Sequence, residues 1–256
     1  MTKIITDPQN YTREDLRNLD WDMVKLNVTI DPKPLLEWFE TVKTTSPESL
    51  FLFSMKDLFQ SHFLENPRMN GMCVGDAGYW TLQWPVQRTD PIPGPMFCDK
   101  EKFPELEDPN WGNKMNNHLD QYYFGAYKNM VETLGQDAWT WGRAMNCGTE
   151  AGIGPHRDHD GEDMSEHMIR LHVNLETNKD SSWHFFSQLG ETPADTWQYE
   201  RASYNPKPGE IYLVNVSNVH APVNHGNDEW VLLHSDPSND AVDRLLKSET
   251  HITYNG

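Results

Sequence analysis

The sequence predicts a mainly β protein with flanking helices, built as a two-sheet jelly roll of the cupin kind. Two observations lead there. Strand-like pieces recur between Trp139 and Asp236, separated by turn clusters. The 256 residues contain 37% hydrophobic and 11% aromatic residues, enough for one sizeable core and too much for a disordered chain. One domain over residues 1–256 is expected. Residues 1–75 would be a helical and irregular elaboration, 76–238 the β core and 239–256 a C-terminal tail.

The first 70 residues read as helical and irregular. Asp31-Pro-Lys-Pro-Leu-Leu-Glu-Trp-Phe-Glu-Thr-Val has an acidic cap and a proline in its first turn. Leu35, Leu36, Phe39 and Val42 give it an apolar stripe. A second helix is expected from Pro47 through Phe59. Gly78-Tyr-Trp-Thr-Leu-Gln-Trp-Pro has the aromatic and Thr content of a strand. A helix over Leu119 to Leu134 would close at Gly135. Five strands are then expected: Trp139–Cys147, Met168–Leu175, Ser182–Gln188, Glu210–Val216 and Trp230–His234. In the second of these, Ile169, Leu171, Val173 and Leu175 share one face, and Arg170, His172 and Asn174 the other. A short helix and a tail would end the chain.

Charge narrows the function. The net charge is −18, and no cluster of Lys and Arg offers a counterion-displacing face. Nucleic acid and anionic membranes are therefore not expected partners. The N-terminus is polar, and no apolar run reaches the ~18 residues of a membrane span. The three cysteines form no CxxC pair, and an odd number argues against a disulfide framework, which favours reduced thiols and a cytoplasmic location.

The chemistry concentrates in Gly154-Pro-His-Arg-Asp-His-Asp-Gly. In an extended segment, residues i and i+2 point the same way, so His156 and Asp158 can meet one metal ion. His220, at the end of the apolar run from Gly209, supplies the third ligand. Two imidazoles and a carboxylate on one face leave the remaining positions open, which suits Fe(II) that must also bind a chelating cosubstrate and O₂. Asp160 would sit about 7 Å further along the same strand, and His159 would face the opposite way.

Five ordered motifs resemble the aspartyl/asparaginyl β-hydroxylase family of 2-oxoglutarate oxygenases, and bacterial free-proline hydroxylases are similar. The motifs are Pro155-His-Arg-Asp-His-Asp-Gly, Ile169-Arg-Leu-His-Val-Asn-Leu, Thr177-Asn, Gly209-Glu-Ile-Tyr-Leu-Val-Asn and Val219-His-Ala-Pro-Val-Asn-His-Gly. The resemblance covers about residues 140–236. It implies a distorted double-stranded β-helix, Fe(II) held by His156, Asp158 and His220, and 2-oxoglutarate as cosubstrate. It also implies that Arg170 and His172 bind the cosubstrate. Where the family carries an arginine after the distal histidine, this chain has Trp230. Arg170 is then the first candidate to hold the far carboxylate, followed by Arg143, with His234 as a further donor. The activity implied is hydroxylation of an amino acid or a peptidyl residue, with O₂ consumed and succinate and CO₂ released. Trp80, Trp84, Trp183 and Trp230 are candidate walls of the substrate pocket. The alternative is a cupin-like mononuclear metal enzyme that does not use 2-oxoglutarate.

Overall fold

A computed structural model describes residues 3–45, 73–74, 77–81, 122–139, 142–149, 151–158, 169–191 and 193–254. The strands are β1 (Ile4–Ile5), β2 (Met23–Ile30), β3 (Cys73–Val74), β4 (Ala77–Thr81), β5 (Arg143–Cys147), β6 (Ala151–Ile153) and β7 (Ile169–Glu176). They continue as β8 (Ser181–Phe186), β9 (Glu200–Tyr204), β10 (Glu210–Asn215), β11 (His220–Asn224), β12 (Trp230–Ser235) and β13 (Glu249–Ile252). The main helices are α1 (Arg13–Asn18), α2 (Pro32–Thr45), α3 (Gly125–Leu134) and α4 (Asn239–Lys247). Among the described residues, no helix is long and apolar enough to cross a membrane.

The central strands wind as one long antiparallel hairpin. β8 pairs β9, β7 pairs β10, β6 pairs β11 and β5 pairs β12. The wound hairpin falls into two sheets, one containing β10-β7-β12-β5 and the other β6-β11-β8-β9. This is the double-stranded β-helix. Its winding explains why neighbours in sequence repeatedly change sheets: each β5-to-β8 partner returns from the far half of the chain.

Alternation along the strands assigns the layers. On β7, Leu171, Val173 and Leu175 pack outward with Leu35, Trp38, Phe39 and Val42 of α2 and with the buried faces of α3 and α4. The α2 stripe also includes Trp38, which is buried with Leu35, Phe39 and Val42, while Leu36 packs partly buried at its edge. The opposite face of the large sheet meets the small sheet through Met145, Trp183, Phe185, Tyr212, Val214, Trp230 and Leu232. Helices, large sheet and small sheet thus form three layers.

The expectation for residues 1–70 needs correction. Met23-Val-Lys-Leu-Asn-Val-Thr-Ile is a strand, and it joins the large sheet antiparallel to β10. Val24, Leu26, Val28 and Ile30 enter the outer core while Lys25, Asn27 and Thr29 stay partly accessible, a period-2 pattern that only a strand satisfies. The tail is also more than a helix, because β13 adds to β2 in parallel. The expected strands over 139–147, 168–175, 182–188, 210–216 and 230–234 are present with bounds shifted by a few residues. β6, β9 and β11 were not expected. The helix expected from Pro47 lies outside the described residues.

Gly209 has one local duty. Its φ is +81°, and a Cβ there would lie 2.5 Å from the Ile30 carbonyl oxygen. The close approach lets its own carbonyl accept from Ile30 N–H at 3.0 Å as β10 begins beside β2.

Candidate metal centre

His156, Asp158 and His220 converge. One ligand atom from each lies within 4.8 Å of the others. Asp158 Oδ1 is 3.3 Å from His156 Nε2, and the two imidazole rings stand 4.4 Å apart. The backbone brings them together. His156 and His220 form an isolated antiparallel bridge, with N–H···O contacts of 3.0 and 2.9 Å, and Asp158 N donates to Val216 O at 3.2 Å. The apolar run from Gly209 to His220 is not one continuous strand. It breaks after Asn215, and His220 opens β11 in the other sheet. That break carries the ligand across the interior to face the 156/158 segment.

Both imidazoles are oriented by carbonyl oxygens. A carbonyl only accepts, so His156 Nδ1–H donates to Gly154 O at 2.7 Å and His220 Nδ1–H donates to Asn218 O at 2.9 Å. The Nε2 lone pair of each ring is left to bind. Burial, reinforced by the nearby His156, lowers the His220 pKa to about 4, so it is neutral at physiological pH. Burial pushes the Asp158 carboxyl upward, but the charge of the adjacent Arg170 opposes it and holds the group well below the usual carboxylate range. The set is therefore two imidazoles and one carboxylate, the donors that a divalent cation of the Fe(II) type takes.

The inner face of the large sheet continues the site. Arg170 sits on it with its guanidinium against Asp158 Oδ2, while its Nε donates to Asp236 Oδ1 at 3.0 Å. Arg143 donates to the same Asp236 oxygen, also at 3.0 Å. His172 is 2% exposed, and neither ring nitrogen has a hydrogen-bond partner among the described residues. Its ring lies 4.9 Å from Trp183 and 5.5 Å from His234. Burial first, then Arg170, pushes the His172 pKa well below its ordinary value; burial and Arg143 do the same for His234. Trp183 stands 5.6 Å from the His220 ring and packs edge-on to Trp230 at 5.7 Å. Both indoles are buried, and neither Nε1 has a hydrogen-bond partner among the described residues.

Arg143, Arg170, His172, Trp183 and Trp230 thus line one interior with the triad. Trp80 lies in β4, its backbone beside Ala144, but its side chain is outside the described residues, as is all of Trp84. His159 and Asp160 are outside them too. Sequence reasoning missed Asp236 and Asn218. Asp236 meets partners 66 and 93 residues away, so no local pattern marks it.

No protein-family model matches the chain, and no curated protein does. Solved structures do. One is an oxidoreductase of the 2-oxoglutarate–Fe(II) oxygenase family from Burkholderia pseudomallei, with 11% identity, a TM-score of 0.33, and coverage of 64% of this chain and 68% of that one. Another is HygX from Streptomyces hygroscopicus with nickel, 2-oxoglutarate and hygromycin B bound, with 13% identity and a TM-score of 0.29. The match covers 37% of this chain and 53% of HygX. A cupin domain from Bordetella pertussis shares 13% identity over 37% of this chain and 76% of that one, with a TM-score of 0.26. At these identities and TM-scores, none of the three likenesses carries an argument about this protein. Fold and site together define a double-stranded β-helix protein with a His₂–carboxylate cluster between its sheets.

Proposed function

We propose that this protein is an Fe(II)- and 2-oxoglutarate-dependent hydroxylase acting on an amino acid or a peptidyl residue. One observation carries the reading: ligand atoms of His156, Asp158 and His220 lie within 4.8 Å of one another inside the double-stranded β-helix. These three would hold the iron on one face. When bound, iron with 2-oxoglutarate and O₂ supplies the oxidising chemistry that converts an unactivated C–H bond to an alcohol, releasing succinate and CO₂.

The remaining groups bind and exclude. With the Asp158 charge directed at a metal, Arg143 and Arg170 share Asp236, two guanidiniums on one carboxylate oxygen. The pair of guanidiniums would attract the far carboxylate of an oxo acid through charge-assisted bonds. It answers the absence of an arginine at Trp230. His172, neutral and without a hydrogen-bond partner among the described residues, offers one donor and one acceptor to the same ligand. Trp183 and Trp230 would wall the space and keep water out. The substrate is a small molecule or a peptide.

The test is anaerobic loading with Fe(II) and 2-oxoglutarate, then O₂ in the presence of free amino acids and short peptides. Succinate release and a product heavier by one oxygen are expected, both absent in His220→Ala. Trp230 favours a second reading, a cupin-like metal enzyme without 2-oxoglutarate. Tight iron binding with no succinate from any substrate would select it. A chain that binds no divalent metal sinks both.

A further inference from the structure

A chain of polar contacts reaches the metal centre from the N-terminal segment. The turn between β10 and β11 supports two of the three candidate ligands: Val216 O accepts from Asp158 N–H at 3.2 Å, and Asn218 O accepts from His220 Nδ1–H at 2.9 Å. This turn is itself held from outside the double-stranded β-helix. Asn215 N–H donates to Asp22 O at 2.9 Å, and Asn215 Nδ2 donates to Trp21 O at 3.2 Å. Asn218 Nδ2 donates both to Trp21 O and to Asp22 Oδ1, each at 2.8 Å. The Asp22 side chain is fully buried, and the Arg201 guanidinium of β9 grips both of its oxygens.

A buried carboxylate is costly unless charge and hydrogen bonds compensate it. Here the compensation comes from a second sheet and from the ligand-bearing turn. Asp22 immediately precedes β2, so the strand that the double-stranded β-helix does not need also delivers this group.

We propose that Asp22 and Asn218, locked by Arg201, are positioning residues: they fix the turn whose carbonyl sets the His220 tautomer, so that Nε2 faces the metal. The proposal rests on the metal-centre reading above. A ring nitrogen's role is set by the hydrogen bond the other nitrogen makes, and loss of such outer support typically weakens metal binding roughly 10–100-fold.

The test uses the full chain with two variants, Asn218→Ala and Asp22→Asn. Asn218→Ala leaves the Asp22–Arg201 pair whole, so it answers the question even where Asp22→Asn fails to fold. Nitrogen-15 NMR of the metal-free protein reads the tautomer directly. Wild type should show His220 wholly as Nδ1–H, and Asn218→Ala should populate Nε2–H. Titration with Co(II) should then give an affinity about 10–100-fold weaker than wild type. An unchanged tautomer with affinity within about twofold of wild type overturns the proposal, as does a lowered unfolding midpoint with neither change. Should wild type bind no Co(II), the metal reading falls, and the tautomer measurement alone decides the positioning role.

Discussion

His220 illustrates how much one side chain inherits from its surroundings. Its Nδ1 is committed to a carbonyl, its ring is neutral, and its Nε2 faces the His156–Asp158 pair. His220→Ala should abolish Fe(II) binding, measured by calorimetry, while the circular dichroism spectrum stays that of wild type. Arg170 has a double engagement, with Asp158 and Asp236. Arg170→Ala should cost about 3 kcal/mol in urea unfolding, because Asp158 loses its cation in a largely buried setting. It should also weaken 2-oxoglutarate more than iron; equal losses would reassign Arg170 to a purely structural role. The two inner histidines set a pH dependence. His172 and His234 have pKa values well below the ordinary 6.5 in the folded chain, by burial and by the two arginines. Below pH 6.5 the unfolded chain therefore binds protons that the folded one refuses, and stability falls as pH drops. The loss should be about 1 kcal/mol per histidine between pH 6.5 and 5.5, read from urea midpoints at the two values. Flat midpoints would show that both rings accept protons inside the fold.

Among the elements, β2 gives the sharpest lesson. Its alternation of Val24, Leu26, Val28 and Ile30 is legible in the sequence, directly before the helix signals at Asp31. Leu26 is 1% exposed and packs in the outer core. Leu26→Ala should cost about 2–5 kcal/mol of unfolding free energy. A cost under about 1 kcal/mol would mean that β2 docks loosely, against the buried pattern observed. The Gly209–His220 run shows the opposite difficulty. Its apolar content marks a strand, but nothing local announces the turn at Asn215–Asn218 that passes the chain between sheets. Asn215 and Asn218 fit a turn by their own chemistry, since short amide side chains hydrogen-bond nearby backbone. Ser217 N–H does donate to Asn215 Oδ1, at 3.2 Å.

For the molecule as a whole, the three-layer arrangement gathers two arginines and two histidines into one interior zone. The outer face of the large sheet is apolar against helices, while Arg143, Arg170, His172 and His234 occupy its inner face beside the triad. The sequence by itself determined the strand faces, because side chains alternate with period 2 and hydrophobicity records that period locally. It also determined the three metal-ligating candidates, since the spacing of His156 and Asp158 is a local property of extended backbone. Only the tertiary structure decided how Arg143 and Arg170 share Asp236, and how Asp22 reaches the turn at Asn218. Those contacts join residues 66 to 196 positions apart. Hydrogen bonds and ion pairs of that kind depend on which strands the winding brings side by side, and no stretch of sequence shorter than the fold encodes it.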